Sequence, residues 1–316
     1  MRKRFLLISL IVVLVVPEII FSVVDRWIMP AEEKSKDAEP SVEYSQNVCV
    51  LQEDEAVTME LDEYVVGVLL GEMPAEFHME ALKAQAVAIR TYTLRHIHEN
   101  TKHEEASVCT DSTCCQAYVT AEDYSGSKSE IDRIQQAVAE TEGLVLTYAS
   151  ELIEATYFSS SGGRTESAVE VWGAEIPYLQ ALDSPGEENA VHFRDTTLLS
   201  VEDFLEKLGL PKDTASSITI SDLSYTEGGG VDTVTICGKK YKGTQLRDLL
   251  SLRSTAFTLQ VVGDAVLITS KGHGHRVGMS QYGAQAMALA GKHFEEILMY
   301  YYPGTALELW KGKESS

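Results

Sequence analysis

Leu61-Asp62-Glu63-Tyr64-Val65-Val66-Gly67-Val68-Leu69-Leu70-Gly71-Glu72-Met73-Pro74-Ala75-Glu76 opens the part of the chain whose pattern sets the fold class. Val65, Val68 and Leu69 recur at helical spacing over residues 63–70, Asp62 is placed as an N-cap, and Pro74 stops the helix. A second helix is predicted over residues 79–96, where alanines 81, 84, 86 and 88 favour close helix packing. Residues 130–140 read as a third helix. Strands follow at 143–148 and 153–158, the latter ended by the turn-rich Ser159-Ser160-Ser161-Gly162-Gly163. Residues 201–208 and 242–250 read as short helices, and 218–220, 231–236 and 259–269 alternate as antiparallel strands. Helices and strands are segregated, without an internal repeat. The fold class that follows is α+β, rich in antiparallel strands with packed helices.

Upstream of this core, Met1-Arg2-Lys3-Arg4 precedes an apolar stretch from Phe5 to Val24, broken only by Pro17 and Glu18. As a helix it would rise about 30 Å, one hydrocarbon thickness, and the basic residues ahead of it favour an N-terminus left in the cytoplasm. A cleaved signal peptide with residues 5–16 as its apolar core is the rival reading. Phe21-Ser22-Val23-Val24-Asp25 is too bulky for a small-x-small cleavage site, which favours the anchor. Residues 1–24 are therefore expected to be a cytoplasmic stub and transmembrane anchor, and 25–47 an acidic linker. An exported region over 48–316 would follow, beginning at Val48-Cys49-Val50 or at Val57-Thr58-Met59-Glu60-Leu61, with a possible second lobe at about 196–270.

The chain has 316 residues, 44% hydrophobic and 23% charged, a globular balance. Its 26 Lys and Arg stand against 48 Asp and Glu, a net charge of −22. Setting aside Arg2, Lys3, Arg4 and Glu18 leaves 23 basic and 47 acidic residues, −24, on the exported part. Such a chain repels phosphate backbones, so nucleic acid is excluded as a partner.

Several clusters carry chemistry. Glu72 falls between Gly71 and Pro74 in a joint between two helices, where apolar neighbours would desolvate it and raise its pKa toward general-acid use. A solvated turn glutamate is the plain alternative. Lys83 and Arg90, seven residues apart, share a face of the second helix while Gln85 lies elsewhere on it. They form either a solvated basic face or an anion contact. His103-x5-Cys109-x4-Cys114-Cys115 supplies four soft ligands suited to tetrahedral zinc, though at no familiar finger spacing. Outside the cytoplasm, a disulfide from Cys109 to Cys114 or Cys115 is the alternative. Cys49 and Cys237 are isolated, and read as small buried hydrophobes. In the glycine-rich Gly272-His273-Gly274-His275-Arg276-Val277-Gly278-Met279-Ser280-Gln281-Tyr282-Gly283-Ala284, the histidines are ligands, acid/base groups or parts of a structural turn.

Together these segments resemble the SpoIID/LytB family. The resemblance rests on Leu61 to Val68, Gly71-Glu72-Met73-Pro74-Ala75-Glu76, Ala81 to Tyr92, Ser159 to Glu166, Pro177-Tyr178-Leu179, Gly278 to Ala284 and Tyr300-Tyr301-Tyr302-Pro303-Gly304-Thr305. These stretches are ordered over about residues 56–306. The family implies a peptidoglycan lytic transglycosylase with Glu72 catalytic and with roles for Arg90 and Tyr178. Lys83, Gln85, Arg90, Tyr178, His275 and Gln281 are the candidate substrate contacts. Two positions depart from the family pattern. Gln180 stands where relatives often carry a basic residue, and Arg276 replaces a glycine after His275. Zinc on His103, Cys109, Cys114 and Cys115 rests on ligand chemistry, since the cluster is not family-wide.

The implied reaction needs one carboxylate. Hydrolysis usually needs a second to activate water or attack the sugar, whereas in a lytic transglycosylase the sugar's own C6 hydroxyl attacks and leaves a 1,6-anhydro end. The alternatives are a hydrolase pairing Glu72 with Glu76 or Glu80, and a non-catalytic glycan-binding scaffold. The resemblance further implies peptide-stripped glycan strands as substrate and septal wall remodelling during endospore engulfment as the setting. Its implied partners are the sporulation amidase/endopeptidase (stage II sporulation protein P) and the membrane protein stage II sporulation protein M.

Overall fold

The computed structural model describes residues 46–312, apart from 54, 100, 101 and 212–217. The expected anchor and nearly all of the linker lie outside the described residues, and among these no helix is long and apolar enough to cross a membrane.

A bundle of helices forms one half of the fold. Leu61–Glu72 and Met79–Glu99 pack against each other and against Lys128–Ala139, while Gln281–Leu289 and Phe294–Tyr301 close over the long helix. The interface is apolar and tight: Tyr64, Val65, Val68, Leu69, Leu82, Ile89 and Leu94 are fully buried, and Ala81, Ala84, Ala86 and Ala88 let the backbones approach. Pro74 ends the first helix as expected, with Met73 already extended. Asp62 is not its cap. The helix starts two residues earlier, at Leu61 with Glu60 at the cap position, and the Asp62 carboxylate turns to Arg90. The third helix starts at a Ser127–Glu130 capping box, two residues before the expected boundary.

Short sheets flank the bundle. Asn47–Gln52 pairs antiparallel with Glu55–Glu60 and parallel with Val108–Cys109. Leu144–Tyr148 lies antiparallel between Glu151–Leu152 and Ala306–Leu309. The expected strand at 153–158 is reduced to Tyr157–Phe158, which runs parallel to Met279–Ser280. This pairing seats the glycine-rich segment beside the bundle.

A separate apolar cluster is drawn from Val201 to Ile268, centred on Phe204, Val234, Leu246 and Ile268. Its sheets are Arg194–Ser200, Ala265–Lys271 and Phe257–Val262, and Ile220–Ser221, Thr233–Ile236 and Lys239–Lys242, all antiparallel. The single strand expected over 259–269 is a hairpin, because Gly263 takes a positive φ of 63° that turns the chain beside Asp264. The whole is α+β with mainly antiparallel sheets.

The two clusters meet at Arg276. Its backbone has φ 68°, a left-handed value that suits the glycine expected there. The side chain compensates by bonding the carbonyls of Ser161, Arg164 and Gly228 and the carboxylate of Glu166. Glu166 in turn accepts from Gly230 N–H and the Thr226 hydroxyl. A fully buried ion pair thus ties residues 226–230 of the second cluster to the glycine-rich loop.

Candidate active site

Glu72 is the last residue of the first helix rather than part of a free joint. It lines a cleft of about 1600 Å³ together with Tyr157, Trp172, Tyr178, His275 and Gln281. Its Oε1 accepts the Ala117 N–H at 2.7 Å, and its Oε2 faces Gln281 Nε2 at 3.4 Å. Burial raises its pKa above the ordinary glutamate value, while these two hydrogen bonds pull the other way without cancelling the rise. A carboxyl so placed is suited to give a proton.

Ala117 reaches Glu72 because of two glycines. A Cβ on Gly67 would lie 2.2 Å from the Tyr118 ring, and one on Gly71 would lie 3.0 Å from Tyr118 N and 3.1 Å from Ala117 C. Four residues apart, the two glycines open a groove along the first helix. Gln116–Val119 lies in it, with Val119 N–H bonded to the Gly67 carbonyl. Behind this segment, the buried Gln116 accepts from the Tyr157 hydroxyl at 2.8 Å and donates to Tyr64 and Thr93.

The same segment is anchored upstream by the His/Cys cluster. His103, Cys109, Cys114 and Cys115 bring one ligand atom each to within 4.8 Å of one another. His103 Nε2 is 3.4 Å from Cys115 Sγ and 3.8 Å from Cys114 Sγ, and the two sulfurs stand 3.9 Å apart. Tetrahedral ligand radii of about 2.0–2.3 Å give ligand–ligand separations of this size, so the donor set fits a metal ion. None of the five cysteines is in a disulfide.

The other expected site residues divide. Tyr178, His275 and Gln281 line the cleft. Tyr178 Oη accepts the Glu154 N–H at 3.0 Å. Burial, with Arg247 next, lowers the His275 pKa to about 4, so the ring is neutral at neutral pH. Its Nδ1 accepts from Val277 N–H, which leaves the proton on Nε2. Lys83, Gln85 and Arg90 do not line the cleft. Lys83 pairs with Glu80 and Glu140. Gln85 is fully buried with neither amide atom hydrogen-bonded.

For Arg90 the expectation of an anion contact gives way to a structural role. It is 1% exposed, and its guanidinium donates to Asp62 and to the carbonyls of Thr141, Val138 and Leu144. No part of the fork is left for a ligand. It ties the first and second helices to the end of the third.

Sequence reading missed several cleft residues. Trp172 is 45% exposed, and its ring centroid lies 5.3 Å from that of His275, making an aromatic wall. Besides the exposed Glu175 and Asp248, Glu154 lines the cleft as a further carboxylate. Burial works against its charge, but His96 and Arg95 outweigh it and hold the pKa below the usual range. Arg247 enters from the second cluster. The proximity of Trp172-Gly173 to Pro177-Tyr178 was a usable signal; Arg247 carried none.

A family model described as stage II sporulation protein (SpoIID) matches residues 52–148. The chain is 39% identical over 254 residues to stage II sporulation protein D of Bacillus subtilis strain 168, covering 78% of this chain and 74% of that protein. It is 41% identical to stage II sporulation protein D of Bacillus amyloliquefaciens, covering 77% and 73%. It is also 31% identical to the amidase enhancer of Bacillus subtilis strain 168, covering 76% of this chain and 40% of that protein. With identity at this level over about three quarters of both chains, the chain belongs to the stage II sporulation protein D (SpoIID) family.

Proposed function

We propose that the protein is a peptidoglycan lytic transglycosylase acting in sporulation, cutting glycan strands at Glu72. The observation that carries this reading is the state of Glu72. It is a desolvated carboxyl with a raised pKa, oriented by Ala117 and Gln281 in an aromatic-lined cleft. Protonated, it gives its proton to the glycosidic oxygen as the bond to the anomeric carbon breaks. The C6 hydroxyl of the same sugar then attacks that carbon, and the Glu72 carboxylate takes the hydroxyl proton. Product and catalyst are balanced, with one 1,6-anhydro end formed and Glu72 again protonated.

The surroundings favour this over hydrolysis. Neither Glu76 nor Glu80 lines the cleft, and Glu80 is taken up by Lys83 and the Phe294 N–H. Glu154 does line it, but it is paired with Arg95, and the other carboxylates of the lining, Glu175 and Asp248, are exposed. Neutral His275 and the flat face of Trp172 suit an uncharged sugar ring.

In this reading His103, Cys109, Cys114 and Cys115 hold one zinc ion as a closed structural site. Bound there, zinc would supply folding energy to the loop and no reactive water. The protein would act outside the cytoplasm on strands stripped by an amidase partner. Incubating the full chain with stripped strands and analysing the ends by mass spectrometry tests the reading against its rivals.

A further inference from the structure

Three cationic side chains line the cleft besides its histidines: Arg95, Lys102 and Arg247. Two of them are engaged. Arg95 pairs with Glu99 and Glu154 and donates to the Leu152 carbonyl. Lys102 donates to the Tyr92 hydroxyl and the Cys114 carbonyl, and lies over the Tyr92 ring. Arg247, on the short helix Gly243–Leu249, is half-buried, and among the described residues its guanidinium has neither a hydrogen bond nor an ion pair. Asp248, beside it in sequence, exerts a favourable charge effect without forming a pair.

A part-buried guanidinium without an anionic partner keeps some water but lacks a counter-charge, so an anion can reach it at a modest desolvation cost. Burial accordingly lowers the Arg247 pKa, yet an arginine keeps its charge at any physiological pH. Arg247 lines the same cleft as Trp172, His273 and His275, its charge acts on both histidines, and the His275 ring lies tilted 5.3 Å from that of Trp172. The rest of the chain is strongly acidic, −22 overall, so an anion entering the cleft needs a local cation to receive it. The planar fork of arginine takes a carboxylate through two parallel hydrogen bonds.

We propose that Arg247 is the carboxylate receptor of the cleft, and that it selects glycan strands carrying a free carboxylate beside the sugar bound against Trp172 and His275. This rests on the cleft being the glycan site argued above. Two carboxylates fit the chemistry: the lactyl group of a muramic acid stripped of its peptide, and a carboxylate of a retained stem peptide.

The test measures binding without cleavage, using the full chain carrying Glu72→Gln. The probes are stripped strands, peptide-bearing strands and chitohexaose, which has neither lactyl group nor carboxylate. Adding Arg247→Gln should weaken carboxylate-bearing strands about tenfold to hundredfold and leave chitohexaose within about twofold. Loss on stripped strands alone assigns the lactyl group; loss on peptide-bearing strands alone assigns the peptide. Arg247→Lys, which keeps the charge without the fork, should fall between, and serves if the Gln variant does not fold. Equal loss on all three probes, or no loss on either strand, overturns the proposal. So does a parent protein that binds none of them, which removes the glycan reading too. Because binding is read apart from cleavage, a strand-selective loss stands even if Glu72 proves not to be the acid.

Discussion

The backbone N–H of Ala117 donates to Oε1 of Glu72 at 2.7 Å, across a groove that Gly67 and Gly71 leave open on the first helix. This relationship couples a loop tied to the His/Cys cluster with the carboxyl that the mechanism needs. It makes Gly71 a probe of the site without touching a reacting group. Gly71→Ala places a Cβ 3.0 Å from Tyr118 N, so the segment must move out by a few tenths of an ångström. We expect kcat to fall about tenfold, since small misplacements of a catalytic group are amplified in rate. The Ala117 bond lowers the Glu72 pKa, so weakening it raises that pKa further. The basic limb of the pH–rate profile should move to higher pH, a shift that simple loss of stability would not produce.

Glu72→Gln should abolish cleavage, by at least about 10²–10⁴-fold, because an amide cannot donate the proton. Its stability should not fall. The folded chain holds the Glu72 proton to higher pH than the unfolded chain does. Parent stability therefore declines as pH rises from the ordinary glutamate value, about 4.3, through the raised native value. Glutamine escapes that decline, and Gln281 can turn its amide to meet it. Melting temperatures at neutral pH should be equal to the parent's or higher; a marked drop would recast Glu72 as structural.

One zinc per chain is expected by elemental analysis of protein purified without a metal-binding tag. Chelation should lower the melting temperature and, through Cys115, Gln116 and Ala117, reduce turnover. Cys115→Ser should do the same without chelator. A metal-free protein as stable as the zinc-treated one would contradict the site.

Arg90→Ala should cost about 3 kcal/mol, chiefly because carbonyls buried around the guanidinium lose their donor, while the part-exposed Asp62 can turn to water. Three carbonyls and Asp62 lose their donor at once. Activity lost by the folded fraction should be equal on stripped and peptide-bearing strands. Selective loss on stripped strands, with an unchanged melting temperature, would restore the anion-contact reading.

What could be read from the sequence was set by local pattern. The helices from Leu61 to Glu99 announce themselves by period and by Pro74, and the Cys/His cluster by ligand type. Arg90 could not be read, because charge and spacing say nothing of burial, and the acid that meets it is a distant Asp62 that also looked like a cap. The hairpin at Gly263 was hidden by unbroken β-patterning on both sides of a two-residue turn. Glu72 was legible as a candidate, but the amide that orients it comes from residue 117, through a groove that only the folded helix displays.

In the proposed reaction Glu72 works with the sugar's own hydroxyl, and no second carboxylate takes part. Mass spectrometry of products from purified stripped strands, cut by the full chain in ¹⁸O-labelled water, tests it most directly. Attack by the C6 hydroxyl leaves 1,6-anhydro ends without ¹⁸O. Reducing ends carrying ¹⁸O would show that water attacked, and would contradict it.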